Sequence, residues 1–123
     1  TSGSVRSFPI VTLCRLFYYM CDAYRQSGIV LFPSRWEEPF GRVPVEAMVS
    51  GIPCVVSARG GLPEVVGDTG VVVDEVDSVA TWIEAINTAF EDHDPEAQKQ
   101  RAERFSAEAQ ISKLIDVLNE MGV

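Results

Sequence analysis

The sequence has little lysine, histidine and cysteine. Lys99 and Lys113 are its only lysines, His93 is its only histidine, and its three cysteines lack CxxC spacing. An odd cysteine set without that spacing argues against a disulfide framework and a zinc site, and it favours reduced, mostly buried thiols. Because His93 lies in the polar stretch EDHDP and no Ser-His-Asp set is present, a catalytic histidine is not expected.

Long hydrophobic runs are also absent. No apolar run approaches the roughly 18 residues that span a bilayer, and no N-terminal segment has the pattern of a secretory signal. An apolar content of 46% in 123 residues predicts one soluble globular domain with a single core. The reduced thiols expected above predict a reducing compartment, the cytoplasm. The net charge of −8 is uneven, with six arginines against four acids in residues 1–62 and four basic residues against fourteen acids in residues 63–123. An acidic domain is a poor general binder of nucleic acid or anionic membranes, so no nucleic-acid partner is expected.

Two common phosphate-binding motifs are missing. The run Ala58-Arg59-Gly60-Gly61 resembles half a phosphate loop but lacks the GxxxxGK[ST] spacing, which argues against a P-loop. No GxGxxG follows a strand pattern, so a dinucleotide site lacks support.

Strand and helix patterns alternate along the chain. Buried strands are predicted at residues 29–33, 54–57 and 70–74. Helices are predicted at residues 13–28, 41–50, 63–66 (one turn), 79–90 and 96–104, and from 107 to the C-terminus. The apolar face of the fourth is expected to comprise Val79, Trp82, Ile83, Ile86 and Phe90, and that of the last Ile111, Leu114, Ile115, Leu118 and Met121. Residues 1–12 are predicted to be irregular or an edge segment, residues 13–92 the α/β core, and residues 93–123 the C-terminal helices.

This order of elements predicts the fold class. Strand–helix–strand units of this length form right-handed parallel crossovers, and continuously apolar strands form a sheet that is covered on both faces. The expected architecture is a three-layer, Rossmann-like α/β domain with three or four parallel strands. Ligands bind such sheets beyond the carboxyl ends of the strands, where residues 34–42 and 57–61 are expected to lie.

Gly41 opens the second predicted helix at that edge. A glycine allows a ligand to approach the backbone, and the helix start has unpaired N–H groups and the positive end of the helix dipole. A diphosphate can bind there without lysine, and Arg42 can add a charge-assisted hydrogen bond. The alternative is that Gly41 only makes a tight turn from loop to helix, and the spacing alone leaves both open.

Two acids flank this turn. Glu46 lies about one turn inside the helix, where its carboxylate can accept two hydroxyl hydrogen bonds, as from a ribose diol. Its alternative role is that of a first-turn acid that stabilises the helix dipole. Glu38 lies in the loop beside bulky apolar residues that can partly desolvate it. The alternative for Glu38 is an ordinary solvated loop acid. Of the neighbouring acids Glu37 and Glu38, Glu37 is the one expected to be solvated.

The segment PSRWEEPFGRVPVEAMVSGIPCVVSARGGLPEVV, which begins at Pro33, resembles the signature of glycosyltransferase family 4, whose members have the GT-B fold. The family pattern is roughly PSxxxExFGxxxxEAMxxGxPVVxxxxGGxxE, and its Glu-x7-Glu element corresponds to Glu38 and Glu46. Cys54 replaces the first valine of PVV. The resemblance covers residues 31–74 closely and is specific, because the PS, FG, EAM, GxP and GG elements are all in register.

The resemblance implies a role for each matching residue. Glu38 would be the catalytic residue that contacts the donor sugar and stabilises charge at its anomeric centre, and Glu46 would hold the ribose. The other donor-binding residues would be Phe40, Gly41, Arg42, Val43, Gly60 and Gly61, with the N–H groups of residues 41–43 on the distal phosphate. Glu64 matches the pattern too. The family transfers sugars from nucleotide-activated donors, usually with retention and without a bound metal, so neither a metal nor a cofactor is expected.

The resemblance also implies that the chain is only part of an enzyme. A GT-B enzyme needs two Rossmann-like domains, and this chain matches part of the second, donor-binding one. The N-terminal acceptor domain is therefore an expected partner, without which the chain is expected to be inactive.

Two alternative functions remain open. The first is a non-catalytic nucleotide-sugar-binding module or subunit with a separate acceptor-binding partner, and the second is an epimerase or phosphorylase relative. A phosphorylase would need a cofactor lysine, and neither Lys99 nor Lys113 is expected near the loops. Missing sheet edges would leave apolar surface exposed, so self-association is expected.

Overall fold

A computed structural model describes residues 20–123 of the chain, in which three strands alternate with helices. The strands are β1 (Val30–Phe32), β2 (Cys54–Ser57) and β3 (Val71–Val73). The helices are α1 (Met20–Gln26), α2 (Arg42–Val49), α3 (Leu62–Val66), α4 (Val79–Glu91), α5 (Pro95–Ala102) and α6 (Ala107–Glu120), with a 3₁₀ turn at Glu103–Phe105. The predictions for residues 1–12 and for the start of the first helix lie outside the described residues.

The three strands form a parallel sheet in the order β1-β2-β3. Leu31 pairs with Val55, and Val55 pairs with Val71. Each connection between neighbouring strands contains a helix, as parallel pairing requires. The parallel α/β fold class is therefore confirmed.

Side chains of β2 point alternately to the two faces of the sheet. Cys54 and Val56 pack into a cluster with residues from α1, α2, α3 and α5, whereas Val55 packs on the other face with Val73 and α4. The first cluster includes Tyr24, Ala47, Met48, Leu62, Val66 and Ala102. All four residues of β2 are buried, so this central strand is covered on both faces. The sheet is thus the middle of three layers.

The predicted apolar face of α4 is wrong in part. Trp82 and Ile86 pack against the sheet, but the residues buried beside them are Ala85 and Ala89. The other three predicted residues are exposed: Val79, Ile83 and Phe90. The reason is that small alanines let α4 lie close to β2 and β3, and the larger side chains are left at the flank of that contact.

The last two helices differ in how they pack. Helix α5 is fixed by Gln98, which is fully buried and donates a hydrogen bond from Nε2 to the carbonyl oxygen of Ile52 at 2.6 Å. Helix α6 forms as predicted after Ser106, but its apolar stripe is exposed. None of the helices in residues 20–123 is long and apolar enough to cross a membrane.

Candidate functional site at the carboxyl edge of the sheet

The loops that follow β1 and β2, residues 33–41 and 58–61, meet at the carboxyl edge of the sheet and are called the loop edge here. At their base Ser57 is fully buried, and its hydroxyl donates to the carbonyl oxygen of Ser34 at 2.6 Å. Further out, the N–H of Gly61 donates to the carbonyl oxygen of Glu38 at 2.7 Å. The N–H of Gly60 donates to the carboxylate of Glu37. The structure therefore brings the two sequence-predicted loops into direct contact.

Gly60 and Gly61 allow this contact because the two backbones lie too close for side chains. A Cβ on Gly60 would lie 2.1 Å from the carbonyl oxygen of Glu38, and one on Gly61 would lie 2.6 Å from that of Pro39. Gly60 also has a φ of +53°, which favours glycine. Both glycines thus hold the loop edge together, and their N–H groups bond to the neighbouring loop in this structure.

Helix α2 begins at Gly41 without a side-chain cap. Gly41 is buried with a φ of +100°, and a Cβ there would lie 2.6 Å from Cδ2 of Leu62. Pro44 has no N–H, whereas the N–H groups of Arg42 and Val43 have no hydrogen-bond acceptor among the described residues. Gly41 therefore makes a tight turn, and the same turn leaves backbone donors free at the start of the helix.

The carboxylate of Glu46 is held by two neighbours. The hydroxyl of Tyr24 donates to Oε2 at 2.7 Å, and Nε of Arg42 donates to Oε1 at 2.9 Å. The side chain of Glu46 is 32% exposed, so one part of the carboxylate still faces solvent. The first turn of α2 contains no acid. The alternative role of Glu46 as a first-turn acid therefore does not fit the observed helix.

The contact made by Tyr24 is not predicted by the sequence pattern. Tyr24 is 6% exposed, and its pKa is raised above the ordinary value by burial first, then by the hydrogen bond and the negative charge of Glu46. Its hydroxyl therefore stays protonated and donates. The only signal in the sequence is that Tyr24 lies on the apolar stripe of a helix. Phenylalanine would pack there equally well, so the hydroxyl of a tyrosine at this position indicates a hydrogen-bond partner.

Glu38 and Glu37 have different surroundings. Glu38 is half-buried, and its Oε2 accepts a hydrogen bond at 3.1 Å from Nε1 of Trp36, which is itself exposed. Glu37 is exposed as predicted, but the N–H of Gly60 binds its carboxylate. Glu38 and Glu46 lie before and after the start of α2 and share no hydrogen-bond partner in the described chain.

A cavity of about 210 Å³ lies beside the loop edge. Phe40 and Phe105, whose rings meet edge to face with centroids 5.4 Å apart, line it together with Gly61, Glu64 and Lys113. The expectation that Lys113 lies away from the loops is therefore wrong. The reason is that α6 follows the turn that carries Phe105, and its first half returns to the loop edge.

The opposite edge of the sheet has different chemistry. A cavity of about 280 Å³ there is lined by Cys54, Asp68, Gly70 and His93, among others. Burial raises the pKa of the Cys54 thiol to about 12, and His93 Nε2 lies 3.0 Å from Oε1 of Gln98. Residues 20–123 contain no group of three or more potential metal ligands. The single histidine thus lies away from the loop edge.

Comparison with known protein families identifies the class to which this chain belongs. The family described as Glycosyl transferases group 1 matches residues 19–111, and the chain belongs to that family. Among curated proteins, spore coat protein SA of Bacillus subtilis is 32% identical over 88 residues, which are 70% of this chain and 23% of that protein. The D-inositol 3-phosphate glycosyltransferase of Corynebacterium kroppenstedtii is 35% identical over 108 residues, which are 82% of this chain and 24% of that protein.

One solved structure has a fold similar to that of this chain. Sucrose-phosphate synthase from Thermosynechococcus elongatus superposes with a TM-score of 0.64 and 28% identity, over 84% of this chain and 28% of that one. The chain therefore spans about a quarter of the length of the relatives that it matches.

Proposed function

We propose that this chain is the donor-binding part of a retaining family 4 glycosyltransferase, which moves a hexosyl group from a nucleotide-diphosphate sugar to an acceptor. The observation that carries the proposal is a pair of features on one helix. Helix α2 begins with backbone N–H groups at Arg42 and Val43 that have no acceptor within residues 20–123, and one turn later it presents the Glu46 carboxylate. The group 1 family match supports the reaction class.

The start of α2 is suited to the diphosphate. Its free N–H groups and the positive end of the helix dipole attract an anion, and the glycine before them adds no side chain. The Arg42 side chain is 88% exposed, so it can reach a bound phosphate by a change of rotamer. The distal phosphate is accordingly assigned to the backbone of Gly41, Arg42 and Val43.

Glu46 is suited to the ribose. A carboxylate offers about four lone-pair positions, and Tyr24 and Arg42 occupy one on each oxygen. The remaining positions can accept both hydroxyls of a ribose diol. A diol that binds there places the attached diphosphate near the start of the same helix, because both features lie within about one helical turn of 5.4 Å.

Glu38 is proposed as the residue that faces the donor sugar. Its carboxylate is oriented by the indole of Trp36, and its backbone is fixed to Gly61. A negative charge held in place stabilises the positive charge that develops at the anomeric carbon as the diphosphate leaves. Phe40, Gly60 and Gly61 then shape the site, and this part of the assignment involves neither a metal nor a cofactor.

An acceptor-binding domain is part of the same proposal. The chain spans about a quarter of the relatives' length, and GT-B catalysis takes place between two domains. The proposed location is the cytoplasm, which is consistent with the buried free thiol of Cys54.

The test is a titration of the ¹⁵N-labelled chain with UDP, GDP and ADP, followed by NMR. We expect one of them to shift the amide signals of residues 41–43, and Glu46→Ala to weaken its binding about tenfold or more through loss of charge-assisted hydrogen bonds. Glu84→Ala, which removes an exposed carboxylate of α4, is the matched control and should bind like the parent chain. Failure of all three nucleotides to bind, or equal binding by Glu46→Ala, would contradict the proposal.

A further inference from the structure

We propose that Tyr24 is a positioning residue, which fixes the carboxylate of Glu46 and thereby sets the preference for ribose over deoxyribose. This inference rests on the proposed function, because it assigns to Tyr24 a task in the same nucleotide site. The observation behind it is the 2.7 Å hydrogen bond from the Tyr24 hydroxyl to Oε2 of Glu46, between residues that are 22 positions apart.

The Tyr24 ring cannot easily move. It is 6% exposed and belongs to the cluster that contains Met48, Cys54 and Val56. A close-packed core holds its side chains in single rotamers. The hydroxyl therefore occupies a fixed position, and the Glu46 oxygen that accepts from it is fixed as well.

Arg42 is the other partner of Glu46, and it differs from Tyr24 in this respect. The Arg42 side chain is 88% exposed, so its ion pair with Glu46 is weak and easily exchanged. When a phosphate binds at the start of α2, Arg42 can leave Glu46 for the phosphate. Tyr24 has no such alternative, because its buried hydroxyl would lose its acceptor. The contact with Tyr24 is thus the one that persists in the nucleotide complex.

The consequence concerns ribose recognition. A glutamate has three side-chain torsions, and a free one must lose that freedom when it binds a diol. With Oε2 held by Tyr24, most of this cost is met before the nucleotide arrives, and the remaining lone pairs keep one orientation. Loss of the hydroxyl should therefore weaken binding through the ribose hydroxyls and leave the phosphate contacts unchanged.

A purely structural role predicts something else. A buried tyrosine hydroxyl needs an acceptor, and Glu46 would satisfy that need whether or not a nucleotide binds. Under that interpretation, Tyr24→Phe changes the free energy of unfolding but not the ratio of affinities for ribose and deoxyribose nucleotides.

The experiment compares the chain with its Tyr24→Phe variant, which keeps the packed ring. Both are titrated with the diphosphate among UDP, GDP and ADP that the parent chain binds most tightly, and with its 2′-deoxy and 3′-deoxy forms. We expect the affinity of the variant for the ribonucleotide to fall roughly fivefold, and its affinity for the deoxy forms to fall by less than about twofold. In a Glu46→Ala background, Tyr24→Phe should have no further effect on this preference.

Ser27→Ala is the matched control, at the residue that directly follows the same helix. It removes the 2.7 Å hydrogen bond from the Ser27 hydroxyl to the carbonyl oxygen of Ala23, and it does not touch Glu46. This control should keep the full ribose preference. An unchanged preference in Tyr24→Phe, or an equal loss in Ser27→Ala, would overturn the assignment of Tyr24. If the parent chain binds no nucleotide, or binds ribose and deoxyribose forms equally, the proposed function fails first and the role of Tyr24 fails with it.

Discussion

Helix α2 and the three C-terminal helices begin in opposite ways. Each of α4, α5 and α6 starts with a polar side chain that accepts a backbone N–H hydrogen bond at 3.1 or 3.2 Å: Ser78, Asp94 and Ser106. Helix α2 starts with Gly41, which has no side chain that could do so. The chain thus caps the helices that lie after the sheet and leaves the helix at the loop edge open.

This difference shows how stability and binding are divided in the molecule. A side-chain cap stabilises a helix by about 1 kcal/mol, but it occupies the same N–H groups that a phosphate would use. Helix α2 is instead stabilised by packing, since three of its own residues, Pro44, Ala47 and Met48, are fully buried. The loop edge is therefore held by backbone contacts and core burial, and its donors remain available.

The largest expected effect comes from Gly60→Ala, which places a methyl group where two backbones touch. The new Cβ would lie 2.1 Å from the carbonyl oxygen of Glu38, at a φ of +53°, so both loops must separate. We expect the free energy of unfolding to fall by about 4 kcal/mol, measured by chemical denaturation.

Gly28→Ala is the control for this substitution. A Cβ at Gly28 meets no atom of the described residues within 4 Å, so the variant should lie within about 0.5 kcal/mol of the parent chain. Equal stability of the two variants would mean that the loops do not touch as described. The loop edge would then not be held by backbone contacts, in contrast to the comparison drawn above.

A smaller effect is expected for Gly41→Ala, because its new neighbour is a side chain. The Cβ would lie 2.6 Å from Cδ2 of Leu62, which is fully buried and has little room to move. We expect a loss of about 2 kcal/mol in the free energy of unfolding, together with weaker nucleotide binding in the NMR titration. Gly51→Ala, at the other end of α2, also has a positive φ, but its Cβ would meet the flexible end of Lys99 at 3.1 Å and Pro95 at 3.5 Å, an ordinary contact distance, so about 1 kcal/mol is expected. If Gly51→Ala cost more than Gly41→Ala, the contact with Leu62 would not govern the turn.

Much of this arrangement is predictable from the sequence. The three strands are short apolar runs next to glycine or proline, and the bounds predicted for β2 are those that the structure has. The start of α2 follows from Gly41, and its end from Gly51 and Pro53. These signals are local, because each depends on the backbone preferences of a few neighbouring residues.

Contacts between distant segments were not predictable. The hydrogen bond from Tyr24 to Glu46 and the approach of Lys113 to Phe40 depend on how helices cross, which no single segment encodes. For α4, periodicity identifies an apolar side but not which part of it is covered. That choice depends on Ala85 and Ala89, whose small side chains let the helix approach the sheet. Burial of alanine is decided by its neighbours and carries little signal of its own.

The smallest expected effect comes from Ser78→Ala, which removes the side-chain cap of α4, one of the capped C-terminal helices. The Ser78 hydroxyl oxygen accepts from the N–H of Thr81 at 3.2 Å, and a methyl group cannot. We expect the free energy of unfolding to fall by about 1 kcal/mol, and nucleotide binding to stay unchanged. Ser78→Gly, which lets water reach the free N–H, should cost only a few tenths of a kcal/mol. A change in nucleotide affinity caused by Ser78→Ala would mean that the capped helices also serve the site, because Ser78 caps α4 whereas the uncapped start at Gly41 belongs to α2.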